Sequence, residues 1–296
     1  LTVKRNNSEK IYDGTPLKAG AFTVVPSPYT LPKGHTLTLE ARGEVTFGSA
    51  PHTYVQNSAR VTDEAGKDVT HNYEISVTDA TLTVKPRPIT VSTESASKVY
   101  DGQPLQRPGW TYSAGPLLEG HGMSVTLTGV SITDVGSAVN SVERHLTRIY
   151  DTRTDEDVSM YYTVTYAEGT LTVKPRSIAV TTPSGEWMYD AQEHYGEPAF
   201  TITEGDLVAG HTAEIASADS VILNVGTTPN RVILRITDGE RDVTHNYKIH
   251  YAYGTLRVTK RPITVRIGSA TLTYDGYAHT VSSVELSPDS PYPLAS

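Results

Sequence analysis

Lys10-Ile11-Tyr12-Asp13-Gly14-Thr15-Pro16-Leu17 returns further along the chain as Lys98-Val99-Tyr100-Asp101-Gly102-Gln103-Pro104-Leu105. Its central tripeptide occurs twice more, as Tyr189-Asp190-Ala191 and Tyr274-Asp275-Gly276, so the motif tyrosines stand 88, 89 and 85 residues apart. Nine residues before each Tyr a Val closes a short β-like run: Leu1-Thr2-Val3, Ile89-Thr90-Val91, Ile178-Ala179-Val180 and Ile263-Thr264-Val265. A register kept four times is the mark of a tandem repeat, and it decides the fold before any single element is assigned.

The far end of the unit recurs as well. Asp68-Val69-Thr70-His71-Asn72-Tyr73 is matched by Asp242-Val243-Thr244-His245-Asn246-Tyr247 and, more loosely, by Asp157-Val158-Ser159-Met160-Tyr161-Tyr162. Each copy then continues into a hairpin-like pair of strands, in the second Tyr162 to Tyr166, a turn at Glu168-Gly169, then Thr170-Leu171-Thr172-Val173. Between the two recurring ends lie runs of period two, such as Thr36-Leu37-Thr38-Leu39 and Arg231-Val232-Ile233-Leu234-Arg235-Ile236. Alternation of this kind is what a strand with one buried face requires. About seven strands fit each unit, and no amphipathic helix pattern is present.

The expected architecture is therefore all-β, a tandem array of Ig-like β-sandwich modules, with β-grasp-like modules as the alternative that the missing helix pattern disfavours. Modules are predicted over 1–86, 87–175 and 176–261, and a fourth begins at 262 and is incomplete at 296. That last stretch lacks its second half, and if ordered it is expected to lean on the third module or on a neighbouring molecule. The junctions are short and rich in proline: Lys85-Pro86-Arg87-Pro88, Lys174-Pro175-Arg176-Ser177 and Thr259-Lys260-Arg261-Pro262. Proline fixes its own φ and pushes the preceding residue to extended geometry, so one module's last strand should run straight into the next module's first. An elongated rod is the expectation.

Composition narrows the function. A formal net charge of -8 makes nucleic acid a poor partner, since duplex binding needs a basic face to release counterions. With no cysteine there is no disulfide framework, thiolate metal site or cysteine nucleophile. No apolar run is long enough to span a membrane, and the first residues lack the pattern of a signal peptide. The chain reads as a fragment of a longer exported protein, and as a monomer.

The motifs are read structurally first. In Tyr12-Asp13-Gly14, Tyr100-Asp101-Gly102, Tyr189-Asp190 and Tyr274-Asp275-Gly276, Asp and Gly form a turn and the Tyr ring packs in the core. The pairs Asn72-Tyr73 and Asn246-Tyr247 belong to the same structural set. Acidic residues gather nearby, at Asp63, Glu64 and Asp68, at Asp151, Asp155, Glu156 and Asp157, and at Asp238, Glu240 and Asp242. Calcium takes six to eight oxygen ligands, but no copy alternates its acids as a calcium loop does, so solvated turns are expected. The repeated histidines, among them His35, His121, His211, His71 and His245, have no close metal-ligand spacing. No cofactor, metal or catalytic residue is predicted. Trp110 shares its register with Phe22 and is expected as a core anchor. Trp187 is the one candidate ligand contact: its counterparts are Lys10, Lys98 and Leu272, and an exposed indole could stack on a sugar ring. Lys10 and Lys98 raise the idea of an amide cross-link to Asn, but Trp187 replaces the Lys in the third copy and Tyr161 the Asn in the second.

Taken together, Lys-x-Tyr-Asp-Gly-x-Pro-Leu, Asp-Val-Thr-x-Asn-Tyr and Gly169-Thr170-Leu171-Thr172-Val173 before a proline linker resemble the YDG and MBG repeat modules of large bacterial surface proteins and adhesins. The resemblance covers nearly the whole chain. It implies export, an extracellular location on the bacterial cell surface, and a stalk that projects a binding head. Host glycan or extracellular protein would then be met through the parent protein. Two other readings remain open: modules that bind such ligands directly, and accessory modules of a secreted carbohydrate-active enzyme.

Overall fold

In each repeat the first strand alternates buried and exposed side chains, as Arg87–Thr93 does by turning Ile89, Val91 and Thr93 inward. The last strand does the same, with Leu171 and Val173 inward in Gly169–Lys174. Burial of each such Val, Leu or Ile favours folding by roughly 1.5–3 kcal/mol and fixes which face is which. The computed structural model describes residues 1–20, 22–25, 30–113, 115–281 and 284–286. Among them every regular element is a strand or a single-turn 3-10 segment, the latter at Thr70–Asn72, Arg144–Leu146, Ser159–Tyr161 and Thr244–Asn246. The chain is all-β, and the helix that a β-grasp lays across its sheet has no counterpart among the described residues.

One pairing scheme is used three times. The first strand is the centre of a three-stranded sheet: Thr2–Arg5 lies between Phe22–Val25 and Ser76–Thr78, Arg87–Thr93 between Trp110–Ser113 and Tyr162–Ala167, and Arg176–Thr181 between Thr201–Glu204 and Tyr247–Ala252. The first neighbour in each case is antiparallel and the second parallel. A second sheet is built around the last strand. Ala80–Lys85 lies between Ser8–Ile11 and Gly48–Tyr54, Gly169–Lys174 between Ala96–Val99 and Gly136–Asn140, and Thr255–Thr259 between Gly185–Met188 and Gly226–Pro229. Ser8–Ile11 and Gly185–Met188 again run parallel to their central strands. Side chains from the two sheets and from short flanking ladders make the core, for example Val3, Leu37 and Val61 with Phe22, Val24 and Val77.

The hairpin expected around Glu168-Gly169 is not formed. Tyr162–Ala167 pairs in one sheet and Gly169–Lys174 in the other. Gly169 marks the crossing: a Cβ there would lie 2.4 Å from the Glu94 carbonyl oxygen, and one at Gly254 would lie 2.2 Å from that of Pro183. The opening segment of the repeat changes sheet at the same level, so the chain's two ends cross side by side. A buried polar clasp holds them. Asn140 donates through its amide to the carbonyls of Glu94 (3.0 Å) and Arg107 (2.8 Å), and Asn230 does so to those of Pro183 (3.0 Å) and Glu197 (3.1 Å). Thr93 and Thr182 complete it, each accepting from a glycine N–H and donating to the Asn carbonyl.

The chain divides into two compact units, one of Leu1–Lys98 and Gln103–Val173, the other of Val99–Gly102 and Lys174–Ser296. The stretches 1–86 and 87–175 fall, but for a few residues, in the first; 176–261 and 262–296 fall in the second. Inside the first unit only Pro86 separates the strand ending at Lys85 from the one starting at Arg87, and inside the second only Pro175 separates Lys174 from Arg176. Strand therefore runs into strand at these two junctions; at the third, 260–264 separates the strand ending at Thr259 from the one starting at Val265. The stretch from 262 begins a fourth copy in the proper register, since Val265 pairs with Leu286 as Val3 does with Val24. It was expected to lean on the third repeat or on a neighbouring molecule; in the chain alone Ile263, Val265 and Ile267 are 60%, 50% and 77% exposed. A first strand needs a parallel neighbour from the closing half of its repeat, and 262–296 does not contain that half. The segment 287–296 lies outside the described residues.

Candidate functional site

Three of the four Tyr-Asp-Gly-type elements are turns tied to the strand that closes their repeat. The Tyr12 N–H donates to the Lys85 carbonyl at 2.9 Å, Tyr100 to Lys174 at 2.9 Å, and Tyr189 to Thr259 at 3.0 Å. The third turn residue needs positive φ, which Gly14 (+82°), Gly102 (+75°) and Gly276 (+87°) supply without strain and Ala191 (+64°) supplies at a cost. Asp13 accepts from the Thr15 N–H at 2.9 Å and from Lys10 Nζ at 2.6 Å, and these bonds hold its carboxyl well below the usual carboxylate range. Lys10 also donates to the Thr15 carbonyl. It is therefore committed to its own turn, and the cross-link to Asn72 finds no support in this geometry.

The third and fourth copies replace this lysine. His194 Nε2 lies 3.1 Å from Asp190 Oδ1 and His279 Nε2 lies 2.8 Å from Asp275 Oδ1, a histidine four residues after Asp doing the work of a lysine three before it. Trp187, at the vacated Lys position, stacks on His194 with centroids 4.8 Å apart and planes 13° from parallel. It also lies over Gly185, where a Cβ would meet the indole at 2.3 Å. The candidate ligand contact is thus half-buried, with its ring face against a histidine of its own turn. Trp110 is half-buried beside Tyr112, while Phe22 packs on the first core.

The Asp-Val-Thr element is a second brace. Asp68, Asp157 and Asp242 each accept from the N–H two residues on, at 2.9, 2.8 and 2.9 Å. The hydroxyls of Thr70, Ser159 and Thr244 accept from Val61, Ile149 and Ile236 at 2.8, 2.9 and 2.8 Å. Hydrogen bonding by the hydroxyl and then the N–H of Thr70 holds the Asp68 carboxyl down to about 2, and the same two groups of Ser159 and Thr244 lower those of Asp157 and Asp242. Among the described residues no three His, Asp or Glu side chains converge as a metal site would require.

The brace presents a tyrosine whose hydroxyl meets a histidine: Tyr73 Oη to His35 Nδ1 at 2.8 Å, Tyr162 to His121 at 2.8 Å, and Tyr247 to His211 at 2.7 Å. In two of the three copies a Tyr-Asp-Gly turn covers this pair. Inside the first unit Tyr12, 7% exposed, stacks on Tyr161 at 4.5 Å and meets Tyr162 edge-on at 6.4 Å. The tip of its turn touches Leu118, 3.5 Å from a Cβ built on Gly14, and Arg87 donates to the Tyr12 carbonyl. Inside the second unit Tyr100, 1% exposed, packs on Tyr247 at 5.8 Å and His211 at 5.9 Å, and Gly102 approaches Val208. Burial pushes the Tyr12, Tyr162 and Tyr247 hydroxyls above their ordinary range.

The motif Tyr therefore packs against residues of the following copy as well as its own core, a partnership that sequence reading missed. Signals for two features lay in plain view. His35, His121 and His211 each precede the partner Tyr by a similar interval, and the clasp recurs as Gly48…His52, Gly136…Asn140 and Gly226…Asn230.

No family model matches the chain, and no curated protein does. Among solved structures, Drosophila N-cadherin EC1-4 aligns over 87% of this chain and 74% of its own at 11% identity, with a TM-score of 0.23. The N-terminal eight Ig domains of Down Syndrome Cell Adhesion Molecule align over 91% and 43% at 11% identity, with a TM-score of 0.18. Scores of this size fall well short of a shared fold over the full length. No helix among the described residues is long and apolar enough to cross a membrane.

Proposed function

We propose that the chain is a non-catalytic spacer from a bacterial cell-surface adhesin of the YDG/MBG repeat type, its modules setting the distance between a surface and a binding head. The observation that carries this reading is the joint made by the motif tyrosine. The recurring aromatic residues, which a ligand site would leave accessible, are spent on packing one copy against the next, at Tyr12 and again at Tyr100. The carboxylates of the motifs serve as turn caps, and the lysines clamp the same turns. Proline junctions with strands abutting on either side stiffen what a flexible tether would leave loose. A spacer has to be extended in solution, so small-angle scattering is the test. A maximum dimension several times the width supports the spacer, and a near-spherical profile would overturn it.

Direct ligand binding has one observation in its favour. Ser217, Asp219, Ser220, Arg231 and Tyr253 line a pocket of about 380 Å³, with Tyr251 stacked on Tyr253 and the Arg231 guanidinium over its ring. Aromatic and polar groups in this combination suit a sugar. A glycan array with the intact chain decides it: retention lost in Tyr253→Ala supports binding, and an empty array removes it.

A further inference from the structure

Just before the chain crosses into the second sheet, the first and second repeats carry an acid and the third does not: Asp79 and Glu168 stand where Tyr253 does. In the second repeat that acid closes a small surface site. Glu168 pairs with Arg144 at 3.0 Å and accepts from the Val142 N–H at 3.1 Å, while the Arg144 guanidinium lies 5.1 Å from the centre of the Tyr166 ring. Arginine, aromatic ring and carboxylate satisfy one another there.

The third repeat has an arginine and aromatic rings at the same level and lacks the carboxylate. Tyr251 stands where Tyr166 does, each opposite a first-strand valine, Val180 and Val91. It stacks on Tyr253 with ring centres 5.3 Å apart, and the Arg231 guanidinium lies 5.7 Å from the centre of the Tyr253 ring. Arg231 is exposed, and among the described residues it forms no ion pair. Val232, in the place of Val142, lines the same pocket of about 380 Å³. Asp219 and Ser220 line it too, the first accepting from the Ser217 hydroxyl at 2.7 Å and the second accepting from the Arg231 N–H at 2.7 Å. A matching ligand brings a carboxylate for Arg231, an apolar C–H face for Tyr253 and hydroxyl donors for Asp219. A neutral sugar lacks the charge, and the acidic side chain of a peptide lacks the hydroxyls.

We propose that this pocket takes a carboxylate-bearing sugar, a uronic or a sialic acid, with Arg231 on its carboxylate as Arg144 is on Glu168. The proposal deepens the direct-binding reading of the pocket and rests on it. Paired, charge-assisted N–H donors should favour the acid over a neutral sugar of similar shape by about tenfold. Since Arg231 is exposed, salt should erode that preference.

The test is a titration of the intact, isotope-labelled chain with methyl glucuronide, methyl sialoside, methyl glucoside and glutamate, following the amide shifts of Ser220, Arg231, Val232 and Tyr253. At least one acidic sugar should bind about tenfold more tightly than the glucoside at low salt, and the tighter of the two names the acid. Arg231→Gln, at an exposed position, should bring the acidic sugar down to the level of the glucoside. Tyr253→Glu should close the site on Arg231 as Glu168 closes it in the second repeat, and abolish binding of every probe; an unmoved Val180 amide shows that the fold is kept. Equal affinity for acidic and neutral sugars, or a preference that survives in Arg231→Gln, overturns the proposal and leaves direct sugar binding standing. Glutamate binding as tightly as the acidic sugars overturns it in favour of an acidic peptide. Shifts that move with no probe overturn both this proposal and the reading it rests on.

Discussion

A single amide carries much of each clasp. Asn140 and Asn230, both buried, each satisfy two backbone carbonyls at the point where the chain changes sheet. Asn140→Ala or Asn230→Ala leaves both carbonyls without a donor in a site closed to water, and should cost about 2–4 kcal/mol, measurable by urea denaturation. The first repeat has His52 at this position. Its Nδ1 lies 3.1 Å from the Asn6 carbonyl oxygen, and its Nε2 is buried without a hydrogen-bond partner. His52→Asn should supply the missing geometry and raise the stability of this repeat by about 1 kcal/mol, read from the same denaturation curves. Why the first repeat keeps histidine is not explained by anything around it. The turn asparagines and aspartates were legible from residue type, because Asp beside Gly has few structural uses. The clasp was not: an Asn at the end of a strand looks the same whether it faces water or a buried carbonyl.

Elements were readable one at a time, and less so in their pairing. The period-two pattern placed Ile89, Val91, Leu171 and Val173 on inward faces. It could not show that Tyr162–Ala167 and Gly169–Lys174 belong to different sheets, because alternation reports a face and carries no information about the neighbouring strand. The glycine between them reads as a hairpin turn and is in fact a close crossing. Gly169→Ala would drive a methyl into the Glu94 carbonyl, and a loss of about 3 kcal/mol or more is expected in thermal melts, where an ordinary turn glycine would cost less. The joint has the same character. Tyr12 was expected in a core, and it is in one; but Leu118 and Tyr161, more than 100 residues away, pack against that core, and Tyr162 meets the Tyr12 ring edge-on. Tyr12→Ala should remove about 3–5 kcal/mol and uncouple the first repeat from the second, so that a single denaturation transition of this unit becomes two.

At the scale of the whole molecule, the bonded carboxylates and buried phenols set the pH range. Asp13, Asp68, Asp157, Asp190, Asp242 and Asp275 have folded pKa values below their unfolded ones. Their contribution is present above about pH 4 and is lost as pH falls through the lowered values. Tyr12, Tyr162 and Tyr247 are shifted upward by burial, so the stability they give is complete below about pH 10 and disappears as pH rises through the folded values. The melting temperature should form a broad plateau between these limits, and Tyr12→Phe should weaken the alkaline fall, since no phenolate can then form at that joint.

The parallel pairing of each repeat's opening strand with the strand just before its last one has a mechanical consequence. Tension applied at the two ends of a repeat draws Arg87–Thr93 and Tyr162–Ala167 past one another along their length, and the whole ladder of hydrogen bonds resists in shear and must rupture together. Antiparallel terminal strands would peel apart one bond at a time under a much smaller force. A chain assembled this way should yield to pulling in discrete, high-force steps.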